Sequence, residues 1–272
     1  MFFLSGVGEN IPKKNMQLSP FMKEGITTAF TNKKEVPMGK TTIKWLSHAG
    51  FQITSSAGKV LYIDPWLENP LSTFGVNDVK GATMVLVTHD HFDHVGQAAD
   101  IAKKTGGLLV ANVETAKRLQ SEFHIPAEKV CYFGYGMNIG GKLEYEGITV
   151  TMTQAFHSTA TGTPCGYIIK LEDGTTLYHG GDTGLFDSMR LLGEIYKIDV
   201  AMLPIGSVFT MDPLQAAWAT KLIAPKVVIP MHYKTFPILV QDAKEFVGLA
   251  QKEAPNTKVV PLNPDEEYTY VK

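Results

Sequence analysis

The chain of 272 residues carries 25 Lys+Arg against 27 Asp+Glu, a net charge of −2, with 44% hydrophobic residues. A chain of this length buries enough apolar surface to fold without disulfide or metal staples, so a bound metal would serve function rather than structure. The charge balance lacks the basic excess that holds a phosphate backbone, no run approaches the roughly 20 apolar residues of a membrane span, and Cys131 and Cys165 make no disulfide scaffold. Nucleic acid and a membrane span are therefore not expected, and a reducing cytoplasm is the expected compartment. Met1-Phe2-Phe3-Leu4 is too short an apolar run for a secretory signal.

Residues 1–40, rich in Gly, Pro, Lys, Asn and Thr and without a period of 2 or 3.6, read as an irregular extension or an arm for a homo-oligomer. Residues 41–272 read as the domain proper. Short β-rich runs at 41–46, 51–54 and 59–63, split by turn signals at Gly50 and Ala57-Gly58, predict an antiparallel opening. The continuously apolar Met84-Val85-Leu86-Val87 predicts a strand buried on both faces, followed by helical spacing over 95–104. Residues 108–111 and 113–123 repeat that strand and helix. After Gly134, Gly136, Gly140 and Gly141, strands are predicted at 143–145, 148–153, 166–171 and 176–179. The last third alternates helix 185–195, strand 200–203, helix 213–224 with Pro213 at its start, strand 227–230 and helix 238–251. Two β-rich blocks, each followed by helices, predict an α/β fold: a four-layer αββα sandwich of two mixed sheets flanked by helices.

The strongest chemical signal is Thr88-His89-Asp90-His91-Phe92-Asp93-His94, directly after the buried strand. In an extended segment His89 and His91 point to the same side, while Asp93 and His94 fall where the next helix begins and can face back toward them. A lone Asp there is usually a helix N-cap and a lone His a polar loop residue. Together, with three of the chain's eight histidines, they make a transition-metal site the better reading. His157, Asp182 and His232 each follow a predicted strand, and glycines precede Asp182 in Gly180-Gly181-Asp182-Thr183. Alone, each of these three would be an ordinary loop residue.

The ordered pattern His-x-His-x-Asp-His, then His, Asp and His, resembles the metallo-β-lactamase fold superfamily. The segments Trp45-Leu46-Ser47-His48-Ala49-Gly50, Ile63-Asp64-Pro65-Trp66, Tyr178-His179-Gly180-Gly181-Asp182-Thr183 and Leu203-Pro204-Ile205-Gly206 carry a finer likeness. They resemble its metal-dependent hydrolase branch, related to ascorbate-6-phosphate lactonase and, more distantly, N-acyl-phosphatidylethanolamine phospholipase D. The resemblance covers about residues 41–235 and implies two divalent metal ions. His89, His91 and His157 would hold the first, Asp93, His94 and His232 the second, and Asp182 would bridge them. Ser207-Val208-Phe209 departs from the more polar loop of that branch.

Two ions about 3.5 to 4 Å apart lower the pKa of a bridging water toward neutrality. The implied protein is a dinuclear hydrolase that uses this hydroxide on a small ester, lactone or phosphodiester, with Asp93 orienting the nucleophile. Asp64 is a candidate to support a ligating imidazole, or a plain strand-end turn residue. His48 and His179 are candidates to reach substrate or to protonate a leaving group, with a structural hydrogen bond as the equal alternative. His124 reads as a surface or capping histidine. Trp66, Phe74, Phe209, Tyr233 and Phe236 read as pocket or core aromatics, and residues 68–78 as a flap. Five histidines and two aspartates suit Zn²⁺ first and Mn²⁺ next, and accept Fe²⁺ or Ni²⁺. A mononuclear iron dioxygenase on the same fold and a non-enzymatic metabolite sensor are the rival readings. The partner in each is a small molecule.

Overall fold

The computed structural model describes residues 39–272. The expected extension, residues 1–40, lies outside them except for Gly39 and Lys40, and Lys40 opens the first strand. Strands β1 (Lys40–Trp45), β2 (Phe51–Thr54) and β3 (Val60–Ile63) form the expected antiparallel meander, in register at Ile43 with Ile53 and at Ile53 with Leu61. β4 (Met84–Leu86) and β5 (Leu108–Val110) extend it in parallel. Between and after them come helices α1 (Phe92–Val95), α2 (Ala98–Thr105) and α3 (Val113–Phe123).

The second sheet repeats the plan. β6 (Lys142–Tyr145), β7 (Ile148–Gln154), β8 (Cys165–Lys170) and β9 (Thr176–His179) are antiparallel, and β10 (Val200–Pro204), β11 (Val227–Met231) and β12 (Lys258–Val259) follow in parallel. Helices α4 (Met189–Tyr196), α5 (Pro213–Ile223) and α6 (Lys244–Glu253) alternate with the parallel strands. The final strand, β13 (Glu267–Val271), returns to the first sheet and pairs antiparallel with β1.

Burial explains the layering. Ile43, Phe51 and Ile53 belong to the same buried cluster as Val150, Tyr167 and Ile169, which fills the space between the sheets. Tyr62, Val85 and Leu109 pack outward against Ile101 and Leu119 of α2 and α3. Every residue of β4, β10 and β11 is buried, because each of these strands is covered on both faces, as their unbroken apolar sequences require. The expected four-layer αββα architecture is the one observed.

Three helices differ from expectation. The segment 95–104 breaks at Gly96, where φ is +38° and a Cβ would lie 2.4 Å from Trp66 Cα, so the chain turns there before α2. The helix expected at 185–195 begins only at Met189. The helix expected at 238–251 begins at Lys244, because Val240 donates its N–H to Gly206 and accepts one from Lys234, which holds 234–240 in a stitched loop. β12 and β13 were not expected from the sequence.

Asp199 ties the two sheets together away from their ligand-bearing edge. It accepts hydrogen bonds from Thr176 N–H (2.9 Å) and the Tyr270 hydroxyl (2.9 Å) and pairs with Lys226 (2.8 Å). Burial pushes its carboxyl up, but Lys226, Thr176 and Tyr270 outweigh burial and hold it below its ordinary value. A depressed carboxyl contributes stability that is present above its unfolded pKa of about 3.9 and is lost as pH falls through the folded value. Asp199→Ala is expected to lower unfolding free energy by about 2 kcal/mol at pH 7. Urea unfolding at pH 7 and pH 3 checks this, and the deficit should shrink at the lower pH.

Candidate metal centre

Pairing directions fix where the site lies. β1, β3 and β4 run the same way in the first sheet, and β7, β9, β10 and β11 run together in the second. His48 follows β1, Asp64 follows β3, and His89 to His94 follow β4; His157, Asp182 and His232 follow β7, β9 and β11. Backbone bonds from His232 N–H to His48 O (2.9 Å) and from Cys165 N–H to Thr88 O (3.1 Å) lock the two sets of ends together. Gly181 lets the chain turn before Asp182: its φ is +61°, and a Cβ would lie 2.4 Å from Cys165 O.

All seven residues expected as ligands converge here, in two groups. His89 Nε2 lies 2.9 Å from His91 Nδ1, which lies 3.3 Å from His157 Nε2. A tetrahedral ion with nitrogens at 2.0–2.1 Å holds them about 3.3 Å apart. In the other group His48, Asp93, His94 and His232 each present a donor atom within 4.8 Å of the rest. Asp182 Oδ2 stands between the groups, 3.0 Å from His232 Nε2, 3.3 Å from His94 Nε2 and 3.5 Å from His157 Nε2. His94 Nε2 and Asp182 Oδ1 are buried without a hydrogen-bond partner. Orphaned polar atoms among crowded imidazoles and carboxylates are what a divalent cation satisfies, so the donor set fits the metal.

Protonation agrees with this. Burial and the neighbouring His94 push His89 down to about 2, and burial lowers His157, so both keep free lone pairs at neutral pH, as ligation requires. Burial alone would also lower His94, but Asp182 and Asp64 on its two sides raise it well above its ordinary value. The same negative charge attracts a cation in place of that proton.

The surrounding residues fix these donors. Asp64 Oδ2 accepts from His94 Nδ1 (2.7 Å) and the Thr88 hydroxyl (2.7 Å), and Oδ1 accepts from Thr88 N–H (2.8 Å). His94 thereby donates from Nδ1 and turns Nε2 toward Asp182, where a cation would replace the second proton. His48 is fully buried, and burial together with His232 pushes it down to about 4. A carboxylate only accepts, so neutral His48 donates from Nε2 to Asp93 Oδ2 (3.0 Å) and accepts at Nδ1 from the Thr235 hydroxyl (2.6 Å).

His179 sits elsewhere than expected for a substrate-contacting group. Its Nε2 donates to Ala49 O (2.9 Å), its Nδ1 accepts from Gly181 N–H (3.2 Å), and its ring packs on Phe51. With both nitrogens spent on backbone it steadies the turn before Asp182 and does not line the cavity. Asp90, to which sequence reading assigned no role, anchors the loop that carries His157. It accepts from Thr159 (2.6 Å), Thr161 (2.6 Å), Ala160 N–H (2.8 Å) and Arg118 (2.8 Å). Its place between His89 and His91 turns it to the opposite side of an extended chain, which was the available signal. His124 is an exposed left-handed C-cap of α3, as expected.

A cavity of about 730 Å³ opens over the centre, floored by His91, Asp93, His157, Asp182 and His232. Phe92, Phe209, Phe236, Pro237 and Ile238 form its walls. Trp66 stands behind, stacked on Phe236 at 5.7 Å. Tyr233 instead stacks on Trp45, and Phe74 packs on the outer apolar cluster. The expected flap, residues 68–78, is pinned by Asn69 to Leu46 O and by Asp265 to Ser72 and Thr73, and it does not line the cavity.

Two mixed sheets between helices, with histidines and aspartates gathered at one edge, define the metallo-β-lactamase fold. The Beta-lactamase superfamily domain model matches residues 59–233, and the chain belongs to that superfamily, within the UPF0173 metal-dependent hydrolases. It is 47% identical over 231 residues to a UPF0173 metal-dependent hydrolase of Nitratidesulfovibrio vulgaris, covering 85% of this chain and 95% of that one. A Pyrobaculum islandicum relative with the same description is 49% identical, covering 75% and 89%. Igni18, a metallo hydrolase from Ignicoccus hospitalis, has a solved structure that matches with a TM-score of 0.75 and 37% identity over 85% of this chain and 98% of that one. No helix among the described residues is long and apolar enough to cross a membrane.

Proposed function

We propose that residues 41–272 form a dinuclear hydrolase domain that cleaves a small ester, lactone or phosphodiester. The observation that carries this reading is Asp182 Oδ2, placed within 3.0 to 3.5 Å of His232, His94 and His157 and so shared between two groups of donors. His89, His91 and His157 would hold one ion, Asp93, His94 and His232 the other, and Asp182 both. Zn²⁺ is the first expectation and Mn²⁺ the next. When bound, two such ions supply an activated water at neutral pH and polarise the oxygen of the reacting bond.

The protein's own part follows from its hydrogen bonds. His48 donates to Asp93 Oδ2 and fixes the carboxylate that would ligate the second ion and accept a hydrogen bond from the attacking water. His48 acts through Asp93 and is a positioning residue, as is Asp64 through His94. With a substrate seated, the apolar walls would exclude bulk water from the reacting groups. The buried, unpaired Cys131 and Cys165 suit the cytoplasmic compartment that belongs to this reading.

Elemental analysis of protein purified without chelator or histidine tag tests it. About two equivalents of zinc or manganese per chain are expected, with ester hydrolysis lost on chelation and restored by the metal. A single iron per chain with oxygen uptake would overturn it in favour of dioxygen chemistry.

A further inference from the structure

The walls of the cavity carry more information than its floor. Phe92, Phe209 and Ile238 are 68%, 54% and 60% exposed at its mouth, large apolar side chains left in water directly beside the donor atoms. They are held in place. Phe92 packs edge-on to Trp66 at 5.6 Å and Phe236 stacks on the same indole at 5.7 Å, so one buttress positions two walls. Phe209 projects from a turn in which Ser207 and Val208 have φ of +63° and +55°, a conformation that a β-branched valine adopts only under strain. Among the described residues no Lys or Arg lines the cavity, and Ser158 is its one polar side chain outside the donor set. Arg118 of α3 is spent on Asp90 behind the motif.

A substrate with a second charged or hydroxyl-rich group would have to desolvate that group against phenyl rings without a partner. An apolar chain gains by covering them. We infer that the cavity takes an uncharged carboxylic ester or lactone bearing an apolar chain, with the chain lying against Phe92, Phe209, Phe236 and Ile238 and the carbonyl toward the donor set. This rests on the hydrolytic reading of the centre. The reaction adds one water across the acyl C–O bond, which breaks to give a carboxylate, an alcohol and a proton. A phosphorylated sugar lactone and a nucleotide phosphodiester are thereby disfavoured as substrates.

Calorimetric titration of the zinc-loaded full-length chain with hydroxamates that share one chelating head separates this inference from the hydrolytic reading. Each fully covered methylene is worth up to about fourfold in affinity. Octanohydroxamate should therefore bind at least about 50-fold more tightly than acetohydroxamate, while a chain of equal length ending in a carboxylate should lose most of that gain. Phe209→Asp combined with Ile238→Asp should bring the octano-to-aceto ratio within about fivefold at unchanged zinc content, and Phe209→Ala alone should lower it measurably. Equal affinity for the short and long chains, or tight binding of the carboxylate-ended chain, would overturn the inference. Chain-dependent binding with no turnover of octanoyl or acetyl esters would uphold the apolar site and overturn the hydrolytic reading instead.

Discussion

Asp182→Ala is expected to strip metal from both positions, taking content from about two equivalents to below about half an equivalent per chain. The reason is geometric: one oxygen faces His232, His94 and His157, which belong to both groups of donors. Removing it also leaves imidazoles crowded together without the negative charge that offsets a divalent cation. Activity should fall by more than the 10–100-fold that loss of an outer partner costs. His232→Ala provides the contrast. It removes a donor from one group only and should leave about one equivalent bound. Elemental analysis of the two variants side by side decides the matter, and full metal content in Asp182→Ala would refute the assignment of a shared ligand.

Asp64→Asn should weaken metal binding by about 10- to 100-fold without touching a ligand. The asparagine oxygen can keep one bond from Thr88, and the left-handed backbone at Asp64, φ +45°, is one that asparagine tolerates, so the fold should persist. What disappears is the carboxylate behind His94 Nδ1, whose charge makes Nε2 a stronger donor and fixes which nitrogen carries the proton. Competition with a chromophoric zinc chelator measures the affinity, and thermal unfolding of the metal-free protein separates it from stability. Equal zinc affinity in variant and wild type would show that Asp64 is only a turn residue.

The candidate ligands were legible because each follows a run that reads as a strand, and strand ends on one edge of a sandwich must converge. Asp64 was legible for the same reason. His179 was harder, since every residue of Thr176–His179 is buried and no alternation of exposed and buried positions tells which face its imidazole takes. Asp90 was hidden by its neighbours, its role being set by Thr159, Thr161 and Arg118, distant in sequence. The misplaced start of α6 has a tertiary cause: Ile238-Leu239-Val240 carries a helix-like apolar pattern, but bonding to Gly206 and Lys234 holds Val240 in a loop. β13 alternates visibly in Glu267-Tyr268-Thr269-Tyr270-Val271, yet its partner β1 lies at the other end of the described chain, beyond any local signal.

The donors are divided between the two halves of the sandwich. The first sheet contributes His89, His91, Asp93 and His94, and the second contributes His157, Asp182 and His232. On the proposed assignment neither half would hold a complete set for either ion, since His157 would be needed beside His89 and His91, and His232 beside His94. A chain whose sheets had formed but not yet met would offer only open, low-affinity chelates. On that assignment, occupancy of the centre would record assembly, because each ion would draw donors from both sheets at the edge opposite the Asp199 tie.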